Sequence, residues 1–499
     1  AAQTAACLLT PRSVFEAQGM FDEGPFAVAY NDCDYGFKLT NAGLRNVYCA
    51  NALLYHHEGY SRGVGRGNDK PSEEGAFVRK YASWVDPFYN PNLALGQTDF
   101  AVRPVSVVTT PVPRLRVALV THNLDYEGAP RVLSDIGLGL QRFVSAEVIV
   151  VSPKDGALRA LYENHGCEVH VVPTCGDVFR SDTRGLDAVS TIAAFFVQHR
   201  IDIIVANTVL CWWGIEAAAM VRSPSLWVIH ESEPPFTHLA EHSTECARRG
   251  RRALALPYRV VFVAEATRAV FADLETRENF AVYHNGYDAS ESAAMLSAMS
   301  KPEAKAALEL PRNAIIGLLP GTVCERKSQV DLIHAIKVLP VEALRRLHFV
   351  ILGDRPSEYS ARLHAEIAKL EQTRRDTIAV VDHCPGAELY FRAADFMIST
   401  SRIEAFPRVV QEAMLFELPM VVAPVNGIQE QVQDEVSALF YPSGDTTSLA
   451  RQIERIVAEP GLRHRLGTNA RATLDRFPSV DEMVKFYASQ IEQAWLSAR

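Results

Sequence analysis

The chain has 499 residues, 48% of them hydrophobic and 22% charged, which is too long for a single core and predicts about three globular domains. Its net charge of −9 excludes a general nucleic-acid binder, because neutralising a phosphate backbone needs a basic face. Nine scattered cysteines, odd in number and with no CxxC pair, predict neither a disulfide framework nor a zinc site and fit a reducing cytosol.

Residues 1–100 lack the pattern that follows. Their informative runs are 5–15, 19–23, 29–39 with Asn31, Asp32, Cys33 and Asp34, 53–63 with His56, His57 and Glu58, and 86–93. These runs resemble the C-terminal half of an inverting family-2 glycosyltransferase of the GT-A type. The resemblance implies a general base at Asp32 and a metal-holding histidine near His56 or His57. The other half of such a domain, which carries the nucleotide-binding strands, is not in the sequence, so a remnant or truncated segment, silent on its own, is expected. The acidic run also reads as a turn capping a helix over residues 35–41. Residues 101–114, with prolines at 104, 111 and 113 and no helical period, read as an extended linker. No apolar run approaches the roughly 20 residues of a membrane-spanning helix, and no signal peptide is evident after Ala1.

From residue 115 the pattern is α/β. Apolar, strand-like runs at 115–121, 147–152, 167–172, 201–206, 225–230 and 259–263 alternate with helix-length segments, which predicts a doubly wound parallel sheet. In such sheets ligands sit beyond the carboxyl ends of the strands. Two residues stand at such ends. Gly128 follows the first strand in a loop that opens a helix near Pro130, where a missing Cβ permits either a close ligand approach or a tight turn. His230 ends its strand, where it serves a ligand or only a backbone partner. Arg248, Arg249, Arg251 and Arg252 fall in a helix-like stretch followed by apolar residues. They read as a solvated basic face, or as a contact for anionic lipid or a lipid diphosphate at a membrane surface.

A second series of strands follows a helical stretch at 295–310, with runs at 314–320, 349–354, 377–382, 395–400 and 419–423. Two strand ends carry chemistry. Residues 321–329 hold Arg326 and Lys327 and lead into a helix with Val330, Leu332, Ile333, Ala335 and Ile336 on its apolar face. Residues 401–412 lead into a helix predicted over 407–416, with Pro407 at the first helical position, where its missing N–H costs nothing. The free N–H groups of that first turn attract phosphate. Glu404 and Glu412 flank it, and a carboxylate accepts paired sugar hydroxyls.

Together these two segments resemble retaining family-4 glycosyltransferases of the GT-B fold, over roughly residue 115 to the C-terminus. The resemblance implies two doubly wound parallel-sheet lobes facing a cleft, with residues 115–295 on the acceptor side and 296–479 on the nucleotide-sugar donor side. A helix over 480–499 is expected to cross back and brace the first lobe. It further implies that Arg326 and Lys327 hold the donor diphosphate with Ala405, Phe406 and Pro407 at the helix mouth. Glu404 would hold the donor sugar, Glu412 the ribose, and His230 would lie near the sugar as a catalytic residue, contacting a hydroxyl or polarising the departing oxygen. The Gly128 loop would touch donor phosphate and acceptor, with Glu127 replacing one of the usual two glycines. Loop 382–386 would receive the nucleobase through backbone groups, and loop 424–430 would face the same cleft.

The expected activity is that of a hexosyltransferase, moving a sugar from a nucleotide diphosphate sugar to a hydroxyl of a glycan or lipid-linked acceptor in bacterial surface polysaccharide synthesis. No cofactor or metal is required in that scheme, and a cytoplasmic protein, peripheral to the inner face of the membrane, is expected. A sugar-nucleotide epimerase, a phosphorylase with pyridoxal phosphate, and a non-catalytic glycan-binding scaffold are the rival readings.

Overall fold

The computed structural model describes residues 8–47, 71–81, 114–179, 183–382 and 386–499. The chain divides into two compact units, Ala1–Thr109 and Thr110–Arg499.

The first unit contains the helices Arg12–Ala17, Asn31–Asn41 and Pro71–Lys80, and no strand among the described residues. The acidic run does not cap a helix that starts at Tyr35. The helix already starts at Asn31, so Asp32 and Asp34 occupy its first turn. Asp34 is buried and accepts from the Tyr81 hydroxyl at 2.7 Å, with Lys38 at 2.9 Å and Lys80 at 2.7 Å on its oxygens. Burial alone would raise its carboxyl; Lys80, Lys38 and Tyr81 overcome that and hold it below the ordinary range. His56, His57, the run 86–93 and all but the last residue of the 101–114 linker lie outside the described residues.

The second unit holds two parallel sheets. The first has the order β3-β2-β1-β4-β5-β6-β7. Its strands are β1 (Leu115–Val120), β2 (Ala146–Ser152), β3 (Glu168–Val171), β4 (Ile203–Asn207), β5 (Ser225–Ile229), β6 (Arg259–Phe262) and β7 (Phe280–Val282). The second has the order β10-β9-β8-β11-β12-β13. It is built from β8 (Ile315–Pro320), β9 (Leu347–Asp354), β10 (Ile378–Asp382), β11 (Phe396–Ser399), β12 (Met420–Val422) and β13 (Ala438–Phe440). Central strands are apolar on both sides because helices cover both faces: Leu115 and Val117 to Val120 of β1 are all buried. The expected strands are present with ends shifted by a residue or two. β7 and β13 were not anticipated; each is a three-residue edge strand, too short to leave a pattern.

The terminal helix Val480–Ser497 starts at a capping box made by Ser479 and Glu482. It packs on the helix Gly128–Leu140 of the first lobe. Met483, Tyr487, Ile491 and Trp495 join Leu133, Ile136 and Leu140 in one apolar cluster that continues into the second lobe.

Candidate active site

Both sheets send the loops after their strands to one cavity of about 1090 Å³ between the lobes. Gly128, His230, Arg326, Lys327, Glu404, Ala405, Phe406, Pro407 and Glu412 all line it. The second lobe brings its two motifs together through topology. β8 and β11 are hydrogen-bonded neighbours, so the loops that leave them emerge side by side although their residues are more than seventy positions apart. Three bonds stitch the loops: the Arg402 N–H to the Arg326 carbonyl at 2.8 Å, Thr400 Oγ1 to the Lys327 carbonyl at 2.7 Å, and Arg326 Nη1 to the Ile403 carbonyl at 2.9 Å. Gly321 has φ 125, open to glycine without strain, and a Cβ there would press on Lys327 Cε at 3.3 Å.

Glu404 is the electrostatic centre. Its side chain is 7% exposed; Lys327 Nζ contacts Oε1, which also accepts from Ser401 Oγ at 2.8 Å, and Arg326 Nη1 lies 3.3 Å from Oε2. Burial would raise its carboxyl, and Lys327, Arg326 and Ser401 reverse this and keep it ionised below the ordinary range. The main chain beside it is held by Gly427, whose N–H donates to the Glu404 carbonyl at 3.1 Å. A Cβ on Gly427 would lie 1.5 Å from the Ala405 carbonyl oxygen, so only glycine fits.

The helix Arg408–Leu415 begins here, with Pro407 as its N-cap and not, as expected, its first helical residue. Pro407, Arg408 and Val409 lie on the cavity wall, so the positive end of the helix faces the cavity. Glu412, one turn in, faces Arg131 of the other lobe at 3.7 Å.

On the first-lobe wall, Asn207 ends β4 and His230 follows β5. Asn207 donates through Nδ2 to the Ala129 carbonyl at 2.9 Å, which makes its Oδ1 the acceptor for His230 Nε2 at 2.8 Å. His230 therefore carries its proton on Nε2, and Nδ1 is left as an acceptor. Burial, aided by His122 nearby, pushes its pKa down to about 3, so the ring is neutral. The next residue, Glu231, is pushed up to about 7 by burial, against the Val209 and His230 N–H groups it accepts at 3.1 and 3.0 Å. No Cβ contact prevents a side chain at Gly128. The space there is open, and the tight-turn reading has no steric basis.

Residues 126–291 match the family model Glycosyltransferase Family 4, and residues 300–473 match Glycosyl transferases group 1. These two lobes are glycosyltransferase domains of the GT-B type. Among solved structures, the glycosyltransferase lobes resemble Anabaena Alr3699/HepE in complex with UDP-glucose, with TM-score 0.63 and 21% identity, covering 76% of this chain and 100% of that one. Among curated proteins, the chain is 32% identical over 182 residues to a D-inositol 3-phosphate glycosyltransferase of Streptomyces bingchenggensis, 35% of this chain and 40% of that protein. It is 40% identical over 107 residues to the O-antigen biosynthesis protein RfbC of Myxococcus xanthus, 20% of this chain and 8% of that protein. The chain thus spans less than two thirds of the length of the curated relatives it matches.

Several residues that shape the glycosyltransferase cleft were not read from the sequence. His284 stacks on Phe406 at 4.5 Å, the Asn285 amide donates to the Phe406 carbonyl at 3.2 Å, and Gln411 donates to the Asn285 carbonyl at 2.8 Å. Arg355, after β9, bonds Glu127 across the cleft at 2.8 Å. Arg408 pairs with Asp135, again between lobes. The basic run needs a correction. In the helix Thr244–Ala253, Arg249 is buried, pairs with Glu216 and lies over the Trp212 ring at 4.6 Å. Only Arg248, Arg251 and Arg252 are exposed, and Arg248 is paired with Glu245. Among the described residues no helix is long and apolar enough to cross a membrane. Of the expected nucleobase loop, 383–385 lie outside the described residues.

Proposed function

We propose that this glycosyltransferase moves a sugar from a nucleotide diphosphate sugar to a hydroxyl of a glycan or lipid-linked acceptor, with retention at the anomeric carbon. The observation that carries this is the cluster of Arg326, Lys327 and Glu404 beside the mouth of the Arg408–Leu415 helix, with Glu412 one turn in. The donor diphosphate takes Arg326 and Lys327 as counter-charges and the first-turn N–H groups as donors. Charge that develops on the departing diphosphate is stabilised by groups already in place. Glu404, relieved of its cations, accepts hydroxyls of the donor sugar, and Glu412 accepts those of the ribose. A neutral His230 with a free Nδ1 accepts a sugar hydroxyl and contributes no positive charge.

A departing phosphate oxygen takes the acceptor proton as the new glycosidic bond forms on the same face, so no protein nucleophile is needed. Glu404 then carries no glycosyl adduct, in contrast to the carboxylate of a retaining hydrolase. Two cationic side chains supply the charge neutralisation, so the scheme requires neither a metal nor a cofactor. The Anabaena structure with UDP-glucose and the O-antigen relative support a nucleotide-sugar donor and a role in surface polysaccharide synthesis. Peripheral membrane contact would fall to Arg248, Arg251 and Arg252, and cosedimentation with anionic liposomes of a variant with all three changed to alanine measures it.

The deciding experiment is a thermal-shift screen of nucleotide sugars, followed by transfer assays with the stabilising donor. Turnover that needs an acceptor and retains anomeric configuration supports the proposal. Conversion of donor without acceptor indicates an epimerase, and no stabilisation by any nucleotide sugar indicates a scaffold.

A further inference from the structure

The end of the first sheet away from the cleft carries a second cluster of ligating groups. Glu168 and His170 lie two residues apart on the edge strand β3 and therefore on the same face. His199 follows the helix Thr183–Gln198 just before the chain enters β4. His170 Nε2 is 2.7 Å from Glu168 Oε1, His199 Nδ1 is 3.9 Å from the same oxygen, and all three ligand atoms lie within 4.8 Å of one another.

The two rings are held in place by one aromatic. Phe195, a turn before His199, stacks on the His199 ring at 4.0 Å and meets His170 edge-on at 5.0 Å.

We propose that Glu168, His170 and His199 bind a divalent cation of the zinc class and so fasten the edge strand β3 to the end of the Thr183–Gln198 helix. Two imidazole nitrogens and one carboxylate oxygen suit zinc, cobalt or nickel, whereas magnesium and calcium prefer all-oxygen shells. Zinc bonds of about 2.0–2.1 Å place tetrahedral ligands roughly 3.4 Å apart. The Glu168–His170 pair then opens slightly and His199 draws in, adjustments within rotamer reach at an exposed edge. Water completes the shell on the side where Glu168 is exposed. Arg116 lies 3.6 Å from the other Glu168 oxygen and is also paired with Glu147 at 2.9 Å, so it competes weakly and leaves Oε1 for the ion. Glu168 starts β3 and His199 precedes β4, which puts the ion at the amino ends of the strands. The cavity lies at their carboxyl ends. The site is independent of the transfer reading.

The test is zinc binding by the full chain, measured by equilibrium dialysis at neutral pH for the wild type and for His170→Ala/His199→Ala, with cobalt(II) absorption as a second readout. The wild type should hold one equivalent more than the double variant, show nitrogen-ligated cobalt bands that the variant lacks, and gain melting temperature in zinc that the variant does not. Donor binding should be the same in both. Equal stoichiometry in the two proteins overturns the proposal. Should the double variant fold poorly without metal, the single variant His199→Gln carries the same comparison.

Discussion

Glu404→Gln separates the electrostatic role of this carboxylate from a structural one. The substitution preserves shape and the Ser401 bond at 2.8 Å, and it removes the negative charge between Lys327 and Arg326. Removing one partner of a fully buried pair costs about 3–5 kcal/mol. Arg326 is 43% exposed and regains water, while Lys327, 13% exposed, turns to the open cavity. The loss of stability is therefore set below that range, about 2–3 kcal/mol. Binding moves the other way. With both cations released, a nucleoside diphosphate without sugar binds as well as to the wild type or up to about tenfold tighter, a gain of 1.4 kcal/mol or less. Transfer falls about 100- to 1000-fold, the loss typical for a group that positions or stabilises the reacting centre. Lys327→Met gives the opposite pattern, with nucleoside diphosphate affinity reduced roughly 10- to 150-fold for a lost charge-assisted bond of about 1.5–3 kcal/mol. Titration calorimetry with UDP, GDP and ADP and a transfer assay read all of these. If both variants lose diphosphate affinity equally, the carboxylate only holds the two loops in shape and the reasoning fails.

Four further outcomes follow from the geometry. Gly427→Ala places a Cβ 1.5 Å from the Ala405 oxygen and must displace the Glu404 loop, so transfer should drop at least about 100-fold with a lowered melting temperature; activity within threefold of wild type would contradict this. Glu412→Ala should weaken nucleoside diphosphate binding by about tenfold or more in calorimetry, while an unchanged affinity would remove the ribose role. Glu231, with its carboxyl raised to about 7, holds in the folded state a proton that the unfolded chain has lost, so its contribution is complete below about pH 4.5 and fades as pH climbs to 7. Relative to Glu231→Gln, the wild type should therefore lose about 3 kcal/mol across that window, and parallel melting curves would refute it. Arg355→Ala breaks the bond to Glu127, but both side chains are a third exposed, so denaturation should register less than about 1 kcal/mol.

The parts of this fold that were legible in the sequence are those whose causes are local. β1, β2, β8 and β9 are largely apolar runs because both faces are covered, and they declare themselves. Arg326 with Lys327 and Glu404 with Glu412 were legible because each pair sits at a strand-to-helix turn. The contacts between lobes were not. His284 on Phe406, Asn285 with Gln411, and Arg355 with Glu127 join residues more than a hundred positions apart and follow no period. Arg249 was misread for a different reason: a run of arginines looks solvated. Yet Cys246, Gly250 and Ala253 mark a buried face of small residues, and Arg249 lies on it. Gly250 itself leaves no room for a Cβ, which would lie 2.5 Å from Leu239. That small-residue stripe was the available signal.

The charges around the cleft are compensated before any ligand arrives. Arg326 and Lys327 have Glu404, Arg131 has Glu412, Arg355 has Glu127, and Arg408 has Asp135. In the proposed reaction a donor diphosphate would exchange partners and not meet bare cations, so its affinity would reflect the difference between two ion pairs. Among the arginines, exposure separates the pairs that exchange from those that do not; Lys327, 13% exposed, turns instead into the open cavity that it lines. Arg408, 14% exposed and bonded to Asp135 between the lobes, has little water to turn to and stays as a fixed strut. Arg326 and Arg355, at 43% and 34%, can rotate toward a ligand at small cost. Under the proposed transfer, Glu404 would be freed at the moment a sugar needs an acceptor for its hydroxyls, which would make diphosphate capture and sugar recognition one coupled step.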